Sequence, residues 1–336
     1  MKSLSLLPAA ILLAGLAYAD GKNFENWVVG CDNTLTCAAI GFPGEDGAPI
    51  GYVRVERAAG PDAAPSVTVV TYSRGEEGPA TIAVTIDGKP FGAEAFIGTY
   101  NYGYARATLN AAQSAALIDA LANARSMTLK HTEAIDPPIP ASVDGSSAAL
   151  RYMDAEQKRA DTLTALVAKG KKAKNAVPAA PKIPTVTATK LSIVERTPSF
   201  PGAELPQANI DDCGVSSSEP IVFTLSGGNV LWGVCSSTGA YNYTYDFYVV
   251  DRAGKASPLK PGTEGGDTLS LTNPYRSKDG KMLMSFAKSR GVGDCGGTEA
   301  FAWDGKNMVR VLDRAMNVCR GISSEDWITT YRATVK

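Results

Sequence analysis

Few residues in this chain are of a type that does chemistry. There is a single histidine, His131, and there are six cysteines: Cys31, Cys37, Cys213, Cys235, Cys295 and Cys319. Ser-His-Asp and Cys-His catalysis both need an imidazole beside a nucleophile, so any such mechanism must use His131. His131 stands in the strand-like run "TLKHTE", and the chain contains no G-x-S-x-G, no H-E-x-x-H and no P-loop. It is expected to be a structural or surface residue. Two S-x-x-K matches, "SPLK" at 257–260 and "SFAK" at 285–288, lack the S-D-N and K-T-G elements that would give them meaning. The cysteines show no C-x-x-C spacing, and one histidine cannot complete a Cys/His metal set. No metal, cofactor or catalytic residue is therefore expected. A carboxylate pair acting on a glycoside needs no histidine and stays open as an alternative, although 34 acidic residues single out no pair.

The cysteines read instead as disulfides. The chain opens "MKSLSLLPAAILLAGLAYAD", in which Lys2, an apolar run from Leu4 to Leu16 and Ala17-Tyr18-Ala19 have the layout of a secretory leader cleaved after Ala19. That run is too short to span a bilayer, so no membrane span is expected in the mature chain. Export to the periplasm or beyond places the six cysteines in an oxidising compartment. Six cysteines leave the connectivity open. The sequential set Cys31–Cys37, Cys213–Cys235 and Cys295–Cys319 is favoured because each pair closes a local loop, and the first is the firmest because the next cysteine is as far on as Cys213.

Two stretches could carry recognition. "SRGVGDCGGTEAFAWDG" (289–305) holds Arg290 and Asp294 on a glycine-rich loop around Cys295. Glycines there let the backbone turn around a disulfide, and a loop stiffened in this way can present charge to a partner. "GAYNYTYDFYVV" (239–250) sets Tyr241, Tyr243, Tyr245 and Phe247 on one face of an extended chain, with Asn242, Thr244 and Asp246 opposite. That alternation predicts a strand half-buried against a core, with Tyr241 at its start reaching the surface. "TYNYGYAR" (99–106) reads as a shorter echo of it.

The elements behind these residues fall into two parts. A leader (1–19) is followed by an α+β domain (20–168), a Pro/Lys/Ala-rich linker (169–189) and an all-β domain (190–336). In the first domain "NWVVGC", "IGYVRVER", "SVTVVTYS", "ATIAVTIDG" and "SMTLKHTE" alternate as antiparallel strands. Asn110 with Gln113 forms a capping box for a helix carrying Leu117, Leu121 and Ala124. "DGSSAALRYMDAEQKRADTLTALVAKG" predicts a second helix through Leu150, Met153, Leu163 and Leu166, stopped by Gly170 with a break near Asp161. In the second domain, short strands alternate with the turns "SGGN", "DRAGK", "KDGK" and "DGKN". The fold class expected is α+β and β-rich, with an antiparallel sheet and two helices followed by a meander closed into a sandwich or irregular barrel. A net charge of −1 argues against a nucleic-acid partner, and the lysines at 169, 171, 172 and 174 read as a solvated helix end.

"NWVVGCDNTLTCAAIG", the long "DGSSAALRYMDAEQKRADTLTALVAKG" segment, "LWGVCSSTGAYNYTYDFYV", "RGVGDCGGTEAFAWDG" and "VCRG" together resemble domain-of-unknown-function family 1176 of exported bacterial proteins. The first of these segments is also similar to the invasion-associated locus B proteins, small exported β-rich proteins linked to host-cell entry. The resemblance implies that the cysteine pairs, Trp27 and Trp303 are features of the fold, and it brings no catalytic residue. The expectation is an exported, disulfide-stabilised, non-catalytic envelope or surface protein. Its partner would be an envelope or host protein, or a glycan, engaged through Arg290, Asp294 or Tyr241.

Overall fold

Along "IGYVRVER" the side chains alternate between two buried environments: Val53 and Val55 enter one core, while Tyr52, Arg54 and Glu56 face the other way. This double burial organises the protein. The computed structural model describes residues 21–194, 213, 220–261 and 268–336; the expected leader and its cleavage site lie outside the described residues.

The first sheet has ten antiparallel strands: β1 (Lys22–Phe24), β2 (Trp27–Cys31), β3 (Cys37–Gly41), β4 (Gly51–Arg57), β5 (Ser66–Tyr72), β6 (Gly78–Ile86), β7 (Lys89–Asn101), β8 (Tyr104–Thr108), β9 (Met127–His131) and β10 (Ile139–Ala141), in the order β1-β2-β3-β4-β5-β8-β7-β6-β9-β10. Helices α1 (Ala111–Leu121) and α2 (Ser146–Glu156) cover one face. The Asn110–Gln113 capping box starts α1, and Leu117, Ile118 and Leu121 pack on Val29, Val67 and Val69.

Helix α2 buries Leu150 and Met153 but ends at Glu156, short of the expected Gly170. The Asp154 carboxylate stops it by accepting the N–H groups of Leu166 (2.7 Å), Val167 and Ala168 (3.0 Å each). The buried Arg159 and Gln157 draw the following loop inward, with Lys158 and Asp161 at positive φ. Leu163 is consequently 67 % exposed, whereas Leu166 joins the core. "TYNYGYAR" is also not one strand. Tyr102 (φ 48°) and Gly103 (φ 86°) form the turn between β7 and β8, a backbone geometry glycine adopts freely. Tyr102 is exposed at its tip, while Tyr100 is buried on one side of the turn and Tyr104 half-buried on the other.

The remaining strands are β11 (Thr185–Val186), β12 (Ser192–Ile193), β13 (Ile221–Thr224), β14 (Val230–Thr238), β15 (Tyr243–Val250), β16 (Ala256–Pro258), β17 (Ser270–Thr272), β18 (Tyr275–Arg276), β19 (Met282–Lys288), β20 (Gly296–Trp303), β21 (Met308–Met316), β22 (Ile328–Arg332) and β23 (Thr334–Val335). They make a six-stranded sheet (β12-β13-β14-β15-β16, with β17 also on β15) and a five-stranded meander (β18-β19-β20-β21-β22). Phe223, Leu231, Phe247 and Leu271 of the former meet Leu283, Phe301, Trp303 and Met308 of the latter in one core. Among the described residues no sheet closes into a barrel. Within the tyrosine stretch Phe247 is fully buried and Tyr245 packs on this core, while Tyr241 lies before the strand and is 37 % exposed. Thr185–Val186, in the expected linker, pairs in parallel with β23.

The second face of the ten-stranded sheet meets the five-stranded meander. Val28, Ile40, Tyr52 and Val70 pack with Met316, Ile322, Trp327 and Ile328.

Candidate functional site

The apolar contact just described gives way at its margins to charge, in two places, each beside a disulfide. The cysteines pair in chain order, Cys31–Cys37, Cys213–Cys235 and Cys295–Cys319.

Beside Cys295–Cys319, the Arg290 guanidinium donates to both oxygens of Asp294 (2.7 and 2.5 Å), to both oxygens of Asp46 (2.9 and 3.0 Å) and to the Cys319 carbonyl (3.1 Å). Asp294 also accepts the Gly321 N–H at 2.7 Å. Burial alone would raise the Asp294 pKa; the bonds from Arg290 and Gly321 outweigh it and hold the group below the usual carboxylate value. Hydrogen bonding from Arg290 likewise lowers Asp46. The Tyr241 hydroxyl donates to the Ser289 carbonyl at 3.2 Å. Arg290 and Asp294 share one loop and Tyr241 touches it from the β14–β15 turn, but the Arg290 donors are used in fastening that loop to the Asp46 turn of the first sheet. Asp294 lies near the Cys295 and Cys319 sulfurs, within 4.8 Å, yet sulfurs joined to each other offer no thiolate to a metal.

The other place is a recess of about 320 Å³ lined by Arg54, Glu56, Leu312, Arg314, Glu325, Asp326, Thr329 and Arg332. Strand β4 presents Arg54 and Glu56 on the face opposite its valines; β21 presents Leu312 and Arg314; β22 presents Thr329, directly across from Arg314, and Arg332. Asp326 is the hub. It accepts the Tyr52 hydroxyl (2.6 Å) and two bonds from Arg106 (2.9 and 2.6 Å), while its carbonyl accepts from Arg54 (3.2 Å). Arg106 also holds Glu325 at 2.6 Å, and Arg54 holds Glu56 at 2.5 Å. Arg332 is ion-paired through Nε to Asp32, in the loop that Cys31–Cys37 closes, and its backbone exchanges bonds of 2.9 and 3.0 Å with the Asn33 amide.

Arg314 stands apart. Among the described residues its side chain has no hydrogen-bond or ion-pair partner, and its Nε is buried. Burial pulls its pKa down, Arg54 and Arg332 add repulsion, and Glu56 and Asp326 oppose them more weakly. No signal in the sequence marks this arginine. It occupies an ordinary position in "NMVRVLDRAM"; its neighbours Glu325, Asp326, Thr329 and Arg332 follow within 18 positions, but Arg54 and Glu56 come from a strand more than 200 positions away.

His131, expected from the sequence to be structural or at the surface, takes the buried place. It is buried on β9 beneath Tyr100, with ring centroids 5.3 Å apart. Its Nδ1 lies 2.7 Å from the Ser73 hydroxyl and its Nε2 3.2 Å from the Glu133 carboxylate. If Nε2–H donates to Glu133, Nδ1 accepts from Ser73. Glu133 is held ionised, at about 2, chiefly by the Thr81 hydroxyl. Ser73 and His131 are buried, while Glu133 at the end of the line stands at the surface.

Fold and site together define a class: a β-rich α+β protein, braced by disulfides, whose first sheet is fastened to a second set of strands by arginine–carboxylate contacts. Residues 21–334 match the family described as "Protein of unknown function (DUF1176)", and the chain belongs to that family. It is similar to the uncharacterized protein YpfG of Escherichia coli (strain K12), 27 % identical over 97 % of this chain and 96 % of that one. Among solved structures, the invasion associated protein B of Bartonella henselae matches 42 % of this chain and 99 % of its own at 14 % identity, with a TM-score of 0.30. At that score the likeness supports no inference.

Proposed function

We propose that this is an exported envelope or surface protein that acts by binding a glycan or a partner protein, not by catalysis, and that the arginine-lined recess holds the ligand. The observation that carries the reading is the unpaired Arg314 in a recess where two sets of strands meet. Sites of this kind, concave with a few convergent polar groups, are the usual place for a ligand. Three disulfides suit an oxidising compartment, and among the described residues no helix is long and apolar enough to cross a membrane.

A second reading, a glycan hydrolase, draws on Glu56, Glu325 and Asp326 facing the same recess. Against it, each of these carboxylates is engaged by an arginine instead of standing free as an acid or a base. Incubating the purified protein with peptidoglycan and other envelope glycans separates the two. Retention with no released fragments is the expected result. Turnover abolished by Glu56→Gln or Glu325→Gln would overturn the binding reading.

A further inference from the structure

The donors of the recess indicate what part of a ligand it takes. We propose that it is a site for a phosphate group, free or as an ester, held by Arg314 together with Arg54 and Arg332. This rests on the reading of the recess as the binding site.

Three observations carry it. First, the acids around the recess are already taken: Glu56 by Arg54, Glu325 and Asp326 by Arg106, and Asp32 by Arg332. Arg314 is left with no carboxylate within ion-pair or hydrogen-bond reach and with a buried Nε donor that no described group satisfies. A buried donor without an acceptor is costly to leave unmade, and a ligand oxygen is what would complete it. Second, the groups that repel Arg314 most are two more guanidiniums, Arg54 and Arg332, and both line the same recess. Their orientations are set from behind, Arg54 by Glu56 and the Asp326 carbonyl, Arg332 by Asp32 on the Cys31–Cys37 loop. Three planar cations held close together are relieved by an anion placed between them. Third, Thr329 lies directly across the strand pair from Arg314 and lines the recess with it, adding a hydroxyl beside the guanidinium.

The choice of phosphate over carboxylate follows from counting charge and oxygens. A carboxylate offers one charge and two oxygens. A phosphate monoester offers up to two charges and three terminal oxygens, enough for a bidentate bond to Arg314 with oxygens left for Arg54, Arg332 or Thr329. The formal charges of the lining groups cancel, three arginines against Glu56, Glu325 and Asp326. The site therefore does not gather anions from a distance. It recognises one at contact, and the affinity expected for the bare ion is weak.

The test uses the full mature chain, with inorganic phosphate, a hexose 6-phosphate and acetate as probes, titrated at constant ionic strength by calorimetry and by the shift in Tm. The expected result is saturable binding of one phosphate probe per chain, with acetate much weaker. A hexose phosphate tighter than the free ion would identify an ester as the natural source, and the reverse order the free ion. Arg314→Gln should weaken phosphate binding by about tenfold or more, the loss expected for a charge-assisted bidentate contact. Arg290→Gln, which alters the other arginine cluster, should leave it unchanged. If Arg314→Gln does not fold, Arg314→Lys keeps the charge but loses the fork, and a clear weakening in that variant serves instead. Unsaturable binding, wild-type affinity in Arg314→Gln, equal loss in Arg290→Gln, or acetate binding as well as phosphate would each overturn the proposal. The broader reading fails separately. If Arg314→Gln loses phosphate but is retained on envelope glycan as before, the phosphate site stands and the recess is not where the glycan binds. If glycan retention depends on Arg314 but no phosphate probe binds, the reverse holds.

Discussion

Arg290 and Arg314 are both arginines of the five-stranded meander region, both near the contact with the first sheet, and they end in opposite conditions. Arg290 bonds two carboxylates and a carbonyl, whereas the Arg314 side chain bonds none, and the repulsion of Arg54 and Arg332 outweighs the attraction of Glu56 and Asp326. The sequence directs attention to Arg290, because glycines and a cysteine surround it. The structure shows that such surroundings can serve closure: a stiff loop lets all the donors of one guanidinium find internal acceptors. Arg314 is held in a strand, where the pairing with β22 shifts register between Asp313 and Arg314, so its partners depend on whatever the opposing sheet supplies. A saturated arginine holds a fold together; an unsaturated one is available to something else.

The largest effect on this contrast should come from Asp326→Ala. It strips the hub that orders the recess, leaving the Tyr52 hydroxyl and Arg106 without their main acceptor, and should cost about 3–5 kcal/mol in urea unfolding. A cost under about 1 kcal/mol would show that the hub is not holding the recess. Next come the disulfides. Replacing Cys295 and Cys319 by alanine opens a loop with a separation of 24 residues, for which the chain-entropy relation gives about 3.5 kcal/mol. The Cys31–Cys37 loop, with a separation of 6, gives only about 2.4 kcal/mol. The reverse order would mean that the Asp32–Arg332 contact owes more to its bridge than loop length accounts for.

Asp294→Ala breaks the closed cluster, leaving the Gly321 N–H without its acceptor, and should cost about 2 kcal/mol at pH 7. The same cluster has a pH signature. Asp294 and Asp46 both have lowered pKa values in the folded protein, so their contribution is fully present above the unfolded carboxylate value, about 4, and is lost as pH falls through the lowered values. Denaturation midpoints measured from pH 7 down to pH 3 should therefore fall less steeply in Asp294→Ala than in the wild type; parallel curves would contradict this. The smallest effect belongs to Arg314→Met. With no bond to lose and two repulsions removed, it should leave stability within about 0.5 kcal/mol of the wild type or raise it. A loss comparable to that of Asp294→Ala would mean that Arg314 has a structural partner after all and would erase the contrast.

Much of the fold was legible where a strand has one wet face or a turn carries its own chemistry. The capping box at Asn110, the turns "SGGN", "DRAGK", "KDGK" and "DGKN", and most strands of the second part fall where local pattern puts them. What escaped did so for identifiable reasons. Strand β3, "CAAIG", is buried throughout and so shows no alternation. Strand β7 runs 13 residues with small residues and mixed exposure, which periodicity does not register. Helix α2 stops early because a buried Asp154 takes three backbone N–H groups from residues 12 to 14 positions on. The candidate site was the least legible part, since Arg106 and Asp326 are 220 positions apart.

The sequence by itself determined the local grammar: which stretches extend, where they turn, how the cysteines are spaced to close loops, and that one histidine and no catalytic motif are present. Only the tertiary structure decided which face of β4 meets the meander, and so which arginines find carboxylates. Ion pairing depends on distances of a few ångströms between side chains brought together from separate strands, and no spacing along the chain encodes that. Arg290 saturated and Arg314 unpaired is a fact of that meeting alone.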